Sequence, residues 1–457
     1  MSDQKTLSRA LSLGGASAIS TGLAFAALNF LGMAQMLDYI NGPLAWLAVL
    51  AGGLVVLGVR ACFSELDGIY PTAAGIRLWM ARAMNDRLAL VITLTYMTAI
   101  VLVIAADAFI IGEAMAYAFG NGTIIAVVYV AVLLVLATFL NLRGIKLAGT
   151  LEKIVTTVVV LATVIIGIIA IAKHGPTPPA PLHGGSPLQA LILGIFLYTA
   201  FEWVTTNSEE VVKPKIIPRA MLVAIVVLAI SQSIFAVAMG MNLGPDGRES
   251  AYPQLLVAEQ TMGHVGLLLM LAVTALTAVN TFNGGFVTLS RFMYAVAREG
   301  KLPRALTTLN DRAVPVVPVI LLGVSSLVLS IVVAVTGAWV MIVSMCAALE
   351  MMIYATAAFV VFRLRRQQPE SERSFKLFGG QPMAIAIMVL FGLLALISST
   401  TVGKDTNVIP LVILVAVGLM VTLYVLLYVP KLEKREAEEL AARRAARAAS
   451  RNAANNQ

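Results

Sequence analysis

The chain has 457 residues, of which 59% are hydrophobic and 12% charged; soluble domains carry about 25% charged residues, so this composition excludes a soluble protein and indicates a polytopic membrane protein. The formal net charge of +8 is not a nucleic-acid signal, because the basic residues fall between apolar runs rather than on one soluble face. Cys62 and Cys346 lie at the inner part of one apolar run and inside another, and no disulfide is expected between them.

Taken in order, residues 1–9 read as a cytoplasmic N-terminus. No cleavable signal peptide is apparent: charges lead through a Gly/Ala/Ser-rich run into a full span without a typical cleavage site. Apolar runs of about 20 residues, enough to cross a bilayer, recur at 10–36, 43–66, 88–118, 123–140, 149–173, 187–210, 219–241, 264–297, 316–335, 338–363, 382–400 and 408–429. This predicts an all-α protein of about twelve transmembrane helices. Residues 64–85 read as a short re-entrant or surface helix punctuated by Tyr70 and Pro71. The connection 173–187 is rich in Pro and Gly and reads as irregular. Residues 430–457 form a basic tail, read as a solvated cytoplasmic segment or one that touches anionic lipid.

Alternate connections carry the positive charge: Arg77, Arg82 and Arg87; Arg143 and Lys146; Lys213, Lys215 and Arg219; Arg298, Lys301 and Arg304; Arg363, Arg365, Arg366 and Arg373. The positive-inside rule makes that side cytoplasmic and places both termini inside.

Two spans carry signs of interruption. The first contains Gly14, Gly15, Ser17, Ser20, Thr21 and Gly22. Gly weakens a helix by about 1 kcal/mol relative to Ala, and Ser or Thr can satisfy freed backbone groups. A break at residues 20–22 is expected, with Gly14 and Gly15 allowing close packing. The sixth span carries Thr199, Ala200 and Glu202. A carboxylate at membrane depth costs roughly 2.5–3.5 kcal/mol on insertion scales, so Glu202 should face a cavity or a partner. Transporters built from inverted repeats place broken helices at equivalent positions of each half.

Five short motifs, in order, carry a family resemblance. They are residues 19–25 (Ile-Ser-Thr-Gly-Leu-Ala-Phe); Ser64, Glu65 and Leu66 followed by Tyr70, Pro71, Thr72, Ala73, Ala74 and Gly75; Asn141, Gly144, Lys146 and Gly149; Glu209, Glu210, Pro214, Pro218, Arg219 and Ala220; and Ser290, Arg291, Tyr294, Ala295, Ala297, Arg298, Gly300, Leu302 and Pro303. Over most of its length the chain resembles the amino acid–polyamine–organocation transporter superfamily. The resemblance implies a leucine-transporter-type fold, with residues 10–173 and 187–363 as inverted five-helix repeats and 382–429 as two added helices. It implies a substrate site beside both breaks. There Ser20, Thr21 and Gly22 would offer amides to a carboxylate. The carbonyls of residues 196–201, including Phe196, Tyr198, Ala200 and Phe201, would receive an amine beside Glu202 and Trp203. Phe196 falls where some amine-transporting members carry an aromatic outer gate. Ser20 and Ala200 stand where Gly is commoner in the family. Some proton-coupled members carry a lysine in the fifth span where this chain has Val159; Lys153 lies about 9 Å closer to the cytoplasm at helical rise.

Three roles are open to Glu202: partner of a substrate ammonium, carrier of a coupling proton, or member of a structural pair. A carboxyl group in an apolar site holds its proton more tightly than in water, which suits a carrier. Asp107, in the third span, is either a second negative charge of the site or a hydrogen-bonding cap. Glu350, in the tenth, is either a site residue or a packing and gating one. Gln232, Asn280 and Asn283 read as polar contacts between helices. His174, His183 and His264 fall in outer segments.

A secondary transporter of an amino acid, polyamine or related amine is therefore expected, working by alternating access with proton coupling. An exchanger and a transport-deficient nutrient sensor are the alternatives, and sodium coupling through Thr288 and Ser290 stays open. No nucleotide motif, clustered metal ligands or nucleophile–base arrangement is present in the sequence, so no enzyme, cofactor or metal is expected. The expected location is a plasma membrane, a bacterial inner membrane by resemblance.

Overall fold

The computed structural model describes residues 11–71, 75–144, 149–174, 187–208, 210–213, 215–403, 405–435 and 438. In chain order the helices are α1 (Leu13–Ala24), α2 (Leu28–Met36), α3 (Ala45–Ile69), α4 (Gly75–Ala83), α5 (Asp86–Ala118), α6 (Thr123–Leu142), α7 (Gly149–His174), α8 (Pro187–Phe196), α9 (Ile216–Asn242), α10 (Pro245–Arg248), α11 (Pro253–Arg298), α12 (Val316–Thr336), α13 (Trp339–Gln367), α14 (Gly380–Ser399) and α15 (Ile409–Leu423). A 3-10 segment, Phe201–Asn207, continues α8 beyond a break, and a two-residue hairpin joins α14 to α15. Among the described residues eleven helical segments are long and apolar enough to cross a membrane, and the bent pair α1 and α2 makes twelve. That count agrees with the sequence.

Where the chain turns, local chemistry accounts for it. The Asn85 side chain accepts the Leu88 N–H at 2.8 Å and caps α5, satisfying one of the donors every helix start leaves free. The tryptophan of α4, Trp79, donates to the Tyr70 carbonyl at 2.9 Å and ties this short helix to the end of α3. The long α11 is two helices joined at Gly263, whose φ of 62° only glycine adopts cheaply. The eighth apolar run begins just after that kink.

Burial sorts the helices into inner and outer. The α8 span is 78% buried in its apolar window and α13 72%, whereas α6 is 17% and α15 11%. In water an exposed stripe such as Val128, Val132 and Val135 on α6 would drive association; in a bilayer it is the lipid-facing side. The inner helices approach closely through glycine: a Cβ on Gly194 of α8 would lie 2.2 Å from the Ala48 carbonyl oxygen of α3, and one on Gly52 would lie 2.4 Å from the Gly194 backbone. This small-residue contact holds α8 in place as it enters the break. Cys62 and Cys346 are buried and free.

The basic end of the bundle is tied by ions. The Arg77 guanidinium pairs with Asp86 at 2.8 Å and Glu299 at 2.7 Å, and Lys301 pairs with both acids. Glu65, buried on α3, receives Arg365 in a two-pronged contact of 2.8 and 2.6 Å and lies 3.1 Å from Arg373. It also accepts the Leu377 N–H at 2.7 Å. Residues 72–74, the connection 175–186, His183, Lys146, Glu209, Pro214 and the tail from 439 onward lie outside the described residues.

Candidate functional site

Both expected interruptions exist, and one lies further along the chain than the sequence suggested. Helix α1 runs unbroken through Ser20, Thr21 and Gly22 to Ala24; the chain leaves helical geometry at Phe25 and resumes at Leu28, bent by 60°. The small residues serve packing instead. A Cβ on Gly22 would sit 2.5 Å from Thr156 Oγ1 and 3.1 Å from Asn280 Nδ2, so glycine here admits α7 and α11 rather than breaking α1. Ser20 donates to the Phe201 carbonyl at 2.6 Å, joining the two interrupted spans. The amides of residues 20–22 sit inside a helix, so the break that exposes backbone is residues 25–27. The second interruption lies where expected. Helix α8 stops at Phe196, Ala200 adopts φ 70°, and the 3-10 segment follows. An L-residue in that region carries about 1–2 kcal/mol of strain.

Several backbone groups at the breaks are met by buried side chains. Asn29 Nδ2 donates to the Ala24 carbonyl at 2.7 Å and the Leu197 carbonyl at 3.3 Å. Gln232 Nε2 donates to the same Leu197 oxygen at 2.6 Å. Asp107 Oδ1 accepts the Leu28 N–H at 2.8 Å. Asp107 thus caps the N-terminus of α2, a position that favours negative charge.

Between the breaks lies a small pocket of about 20 Å³ lined by Leu23, Ala24, Ala26, Leu28, Asn29, Val103, Phe196, Thr199, Ala200, Trp203, Thr281 and Glu350. Of the candidate residues, Phe196, Ala200 and Trp203 line it. Ser20, Thr21, Gly22, Asp107, Tyr198, Phe201 and Glu202 do not. Tyr198 instead turns to the Val49 carbonyl, donating at 2.8 Å. A second cavity of about 860 Å³ extends from the basic end, where Arg77, Arg291 and Glu299 line it, to Tyr96 and Trp203. Leu23 and Trp203 line both spaces and divide them. Thr288 and Asn283 face the wide cavity. Ser290 bonds the Val287 carbonyl at 3.4 Å and Asn280 bonds Thr156 at 3.2 Å, both as contacts within and between helices.

Glu202 is completely buried behind the pocket. Tyr354 donates to its Oε2 at 3.0 Å, and the Tyr96 hydroxyl lies 3.3 Å from its Oε1. The same Tyr96 hydroxyl lies 3.2 Å from each carboxyl oxygen of Glu350 and accepts the Trp203 indole N–H at 2.7 Å. Edge contacts from Phe63 and Phe391 hold the Tyr354 ring. Two carboxyl groups thus share one phenol, and among the described residues neither pairs with a basic side chain. The carboxyl that faces the pocket is Glu350, with Glu202 behind it. Tyr96 and Tyr354 were not singled out from sequence. The available signal was a tyrosine inside an apolar span, because a buried phenol O–H requires a partner.

The amino acid permease family model matches residues 10–435. The chain belongs to the amino acid permease family. It is similar to the D-serine/D-alanine/glycine transporter of Escherichia coli (strain K12), 25% identical over 293 residues that make up 57% of this chain and 61% of that protein. The chain thus spans under two thirds of that relative's length. It is also similar to the uncharacterized amino acid permease YvbW of Bacillus subtilis (strain 168), 23% identical over 428 residues, covering 87% of this chain and 93% of that one. In three dimensions it resembles a manganese transporter of Eremococcus coleocola, with TM-score 0.66 and 13% identity, covering 95% of this chain and 99% of that one. Identity that low speaks for the fold alone. The permease has the leucine-transporter-type fold, with two inverted five-helix repeats and two further helices, and belongs to a family of multi-pass membrane transporters.

Proposed function

We propose that this permease is a secondary active transporter that moves an amine-bearing small molecule, an amino acid, polyamine or related organic amine, by alternating access. The observation that carries the reading is the acidic character of the space between the breaks. Glu350 lines the pocket, Glu202 stands behind it, and among the described residues no basic side chain pairs with either. An ammonium group entering there would meet negative charge in a dry setting, where charge pairing is far stronger than in water. Asp107 already holds the α2 N-terminus, which favours amines over anions. The repeats are taken as residues 10–173 and 187–363.

The wide cavity extending from the basic end supports an inward-facing state, with that end cytoplasmic by the positive-inside rule and the membrane a plasma membrane. Leu23 and Trp203 then form the thin inner barrier between site and cytoplasm. Coupling to protons through Glu202 is the preferred driving step.

The test is uptake of radiolabelled glycine, lysine and putrescine into proteoliposomes, for wild type and Glu202→Gln, across pH and with sodium replaced by choline. Uptake of an amine that follows an imposed pH gradient and survives sodium removal supports the reading. Full and equally pH-dependent uptake by Glu202→Gln refutes the carrier role. A requirement for substrate preloaded inside the vesicles identifies exchange.

A further inference from the structure

The Tyr96 hydroxyl has too few hydrogens to serve both carboxyl groups when both are ionised. A phenol has one O–H hydrogen and two lone pairs. One lone pair takes the Trp203 N–H at 2.7 Å. Both carboxyl groups lie within 3.3 Å of the same oxygen. If both are ionised, the single hydrogen serves one of them and the other carboxylate faces a lone pair across about the same distance, which is repulsive. One added proton removes the conflict. It sits on either carboxyl and is donated into the remaining lone pair of Tyr96, while the Tyr96 hydrogen goes to the other carboxylate. Tyr96 then donates once and accepts twice, which saturates it. A second proton would find no lone pair left on Tyr96.

We infer that Glu202 and Glu350 form one proton-binding site that holds a single proton shared through the Tyr96 hydroxyl. The site is nearly symmetric, so the proton can change owner without leaving. The Glu350 O–H bond breaks as its hydrogen joins the Tyr96 oxygen, and the Tyr96 O–H bond breaks as Glu202 gains that hydrogen. Only the one positive charge is displaced. Glu350 and the bridging phenol have different surroundings. Glu350 lines the small pocket, while Tyr96 lines the wide cavity. The relay thus joins the space proposed for substrate to the space that reaches the basic end. Its use in transport rests on the proton-coupled reading above; the sharing itself does not.

The groups that face the pair are Tyr96 on α5, Tyr354 and Cys346 on α13, and Trp203 on the 3-10 segment. Asp107 on α5 is the next carboxyl, engaged with Leu28. From α3 and α14 the neighbours of Tyr354 are the rings of Phe63 and Phe391. Two interacting acids of this kind titrate as a pair.

The test is infrared difference spectroscopy of the reconstituted protein, which reads carboxylic-acid C=O bands without any substrate. Glutamine imitates the protonated partner, because its amide can donate to Tyr96. Glu202→Gln and Glu350→Gln should each abolish one carboxylic-acid equivalent, and the double variant should abolish the same one and no more. A single variant that keeps the band, or a double variant that loses two equivalents, overturns the inference. If a glutamine variant does not fold, Tyr96→Phe carries the test: the one titration step of the band should split into two, and an unchanged step overturns the inference. Failure of amine uptake in proteoliposomes would refute the transport reading and leave these spectra as they are.

Discussion

Asp107 offers a direct measurement of how the broken first span is held together. Its Oδ1 accepts the Leu28 N–H at 2.8 Å, out of contact with water. Replacing it by Ala leaves that donor buried without a partner, a loss of about 1–3 kcal/mol. It also removes the cost of burying a carboxyl group, which acts in the opposite sense. Comparison with Asp107→Asn separates the two effects. Both variants relieve the burial cost, but Asn keeps an oxygen where Leu28 needs it. The difference between Asp107→Ala and Asp107→Asn should therefore be about 1–3 kcal/mol, with Ala the weaker. The assay is thermal unfolding of the three proteins in one detergent at a fixed protein-to-detergent ratio. The same pair should change ligand choice. With the α2 N-terminus uncovered in Asp107→Ala, a ligand carrying a carboxylate should gain affinity relative to the matching amine, since a helix N-terminus favours an anion. Equal unfolding temperatures for Ala and Asn would refute the capping role.

Three further outcomes can be checked. Ala200→Gly removes about 1–2 kcal/mol of left-handed strain at φ 70° and gives back about 0.4–1 kcal/mol as chain freedom. It should be slightly stabilising in the same unfolding assay, and a clear loss would count against the strain argument. Gly194→Ala puts a Cβ 2.2 Å from the Ala48 carbonyl oxygen, backbone that has no easy escape. Overpacking of about 1–3 kcal/mol or more is expected, read as lower yield of monodisperse protein; wild-type yield and melting would refute the close contact. Glu65→Gln leaves Arg365 and Arg373 without their buried partner, at about 3–5 kcal/mol. Limited proteolysis should cut the connection between α13 and α14 faster, and an unchanged cutting rate would sink the idea.

Much of this molecule is decided by the sequence alone, because membrane insertion is governed by local quantities. Apolar runs settle the number of the spans without reference to any contact. The motif after the sixth span and the carboxylate at Glu202 were legible for the same reason: charge inside a span is expensive enough to stand out. The break at Ala200 also showed locally, through a run of small and polar residues beside that carboxylate. What the sequence could not decide is how a small residue is spent. Gly22 weakens a helix and also admits a neighbour, and only the presence of Thr156 and Asn280 against it selects packing and moves the break to residues 25–27. Asp107 is a fixed carboxyl whose role depends on which amide lies within 2.8 Å, and Leu28 is 79 positions away. The pair of Glu202 and Glu350 joins α13 to the segment beyond α8 through a tyrosine of α5. No period or spacing along the chain encodes that meeting. It arises because helices distant in sequence pack side by side in the tertiary structure and each buried polar atom must find its partner there.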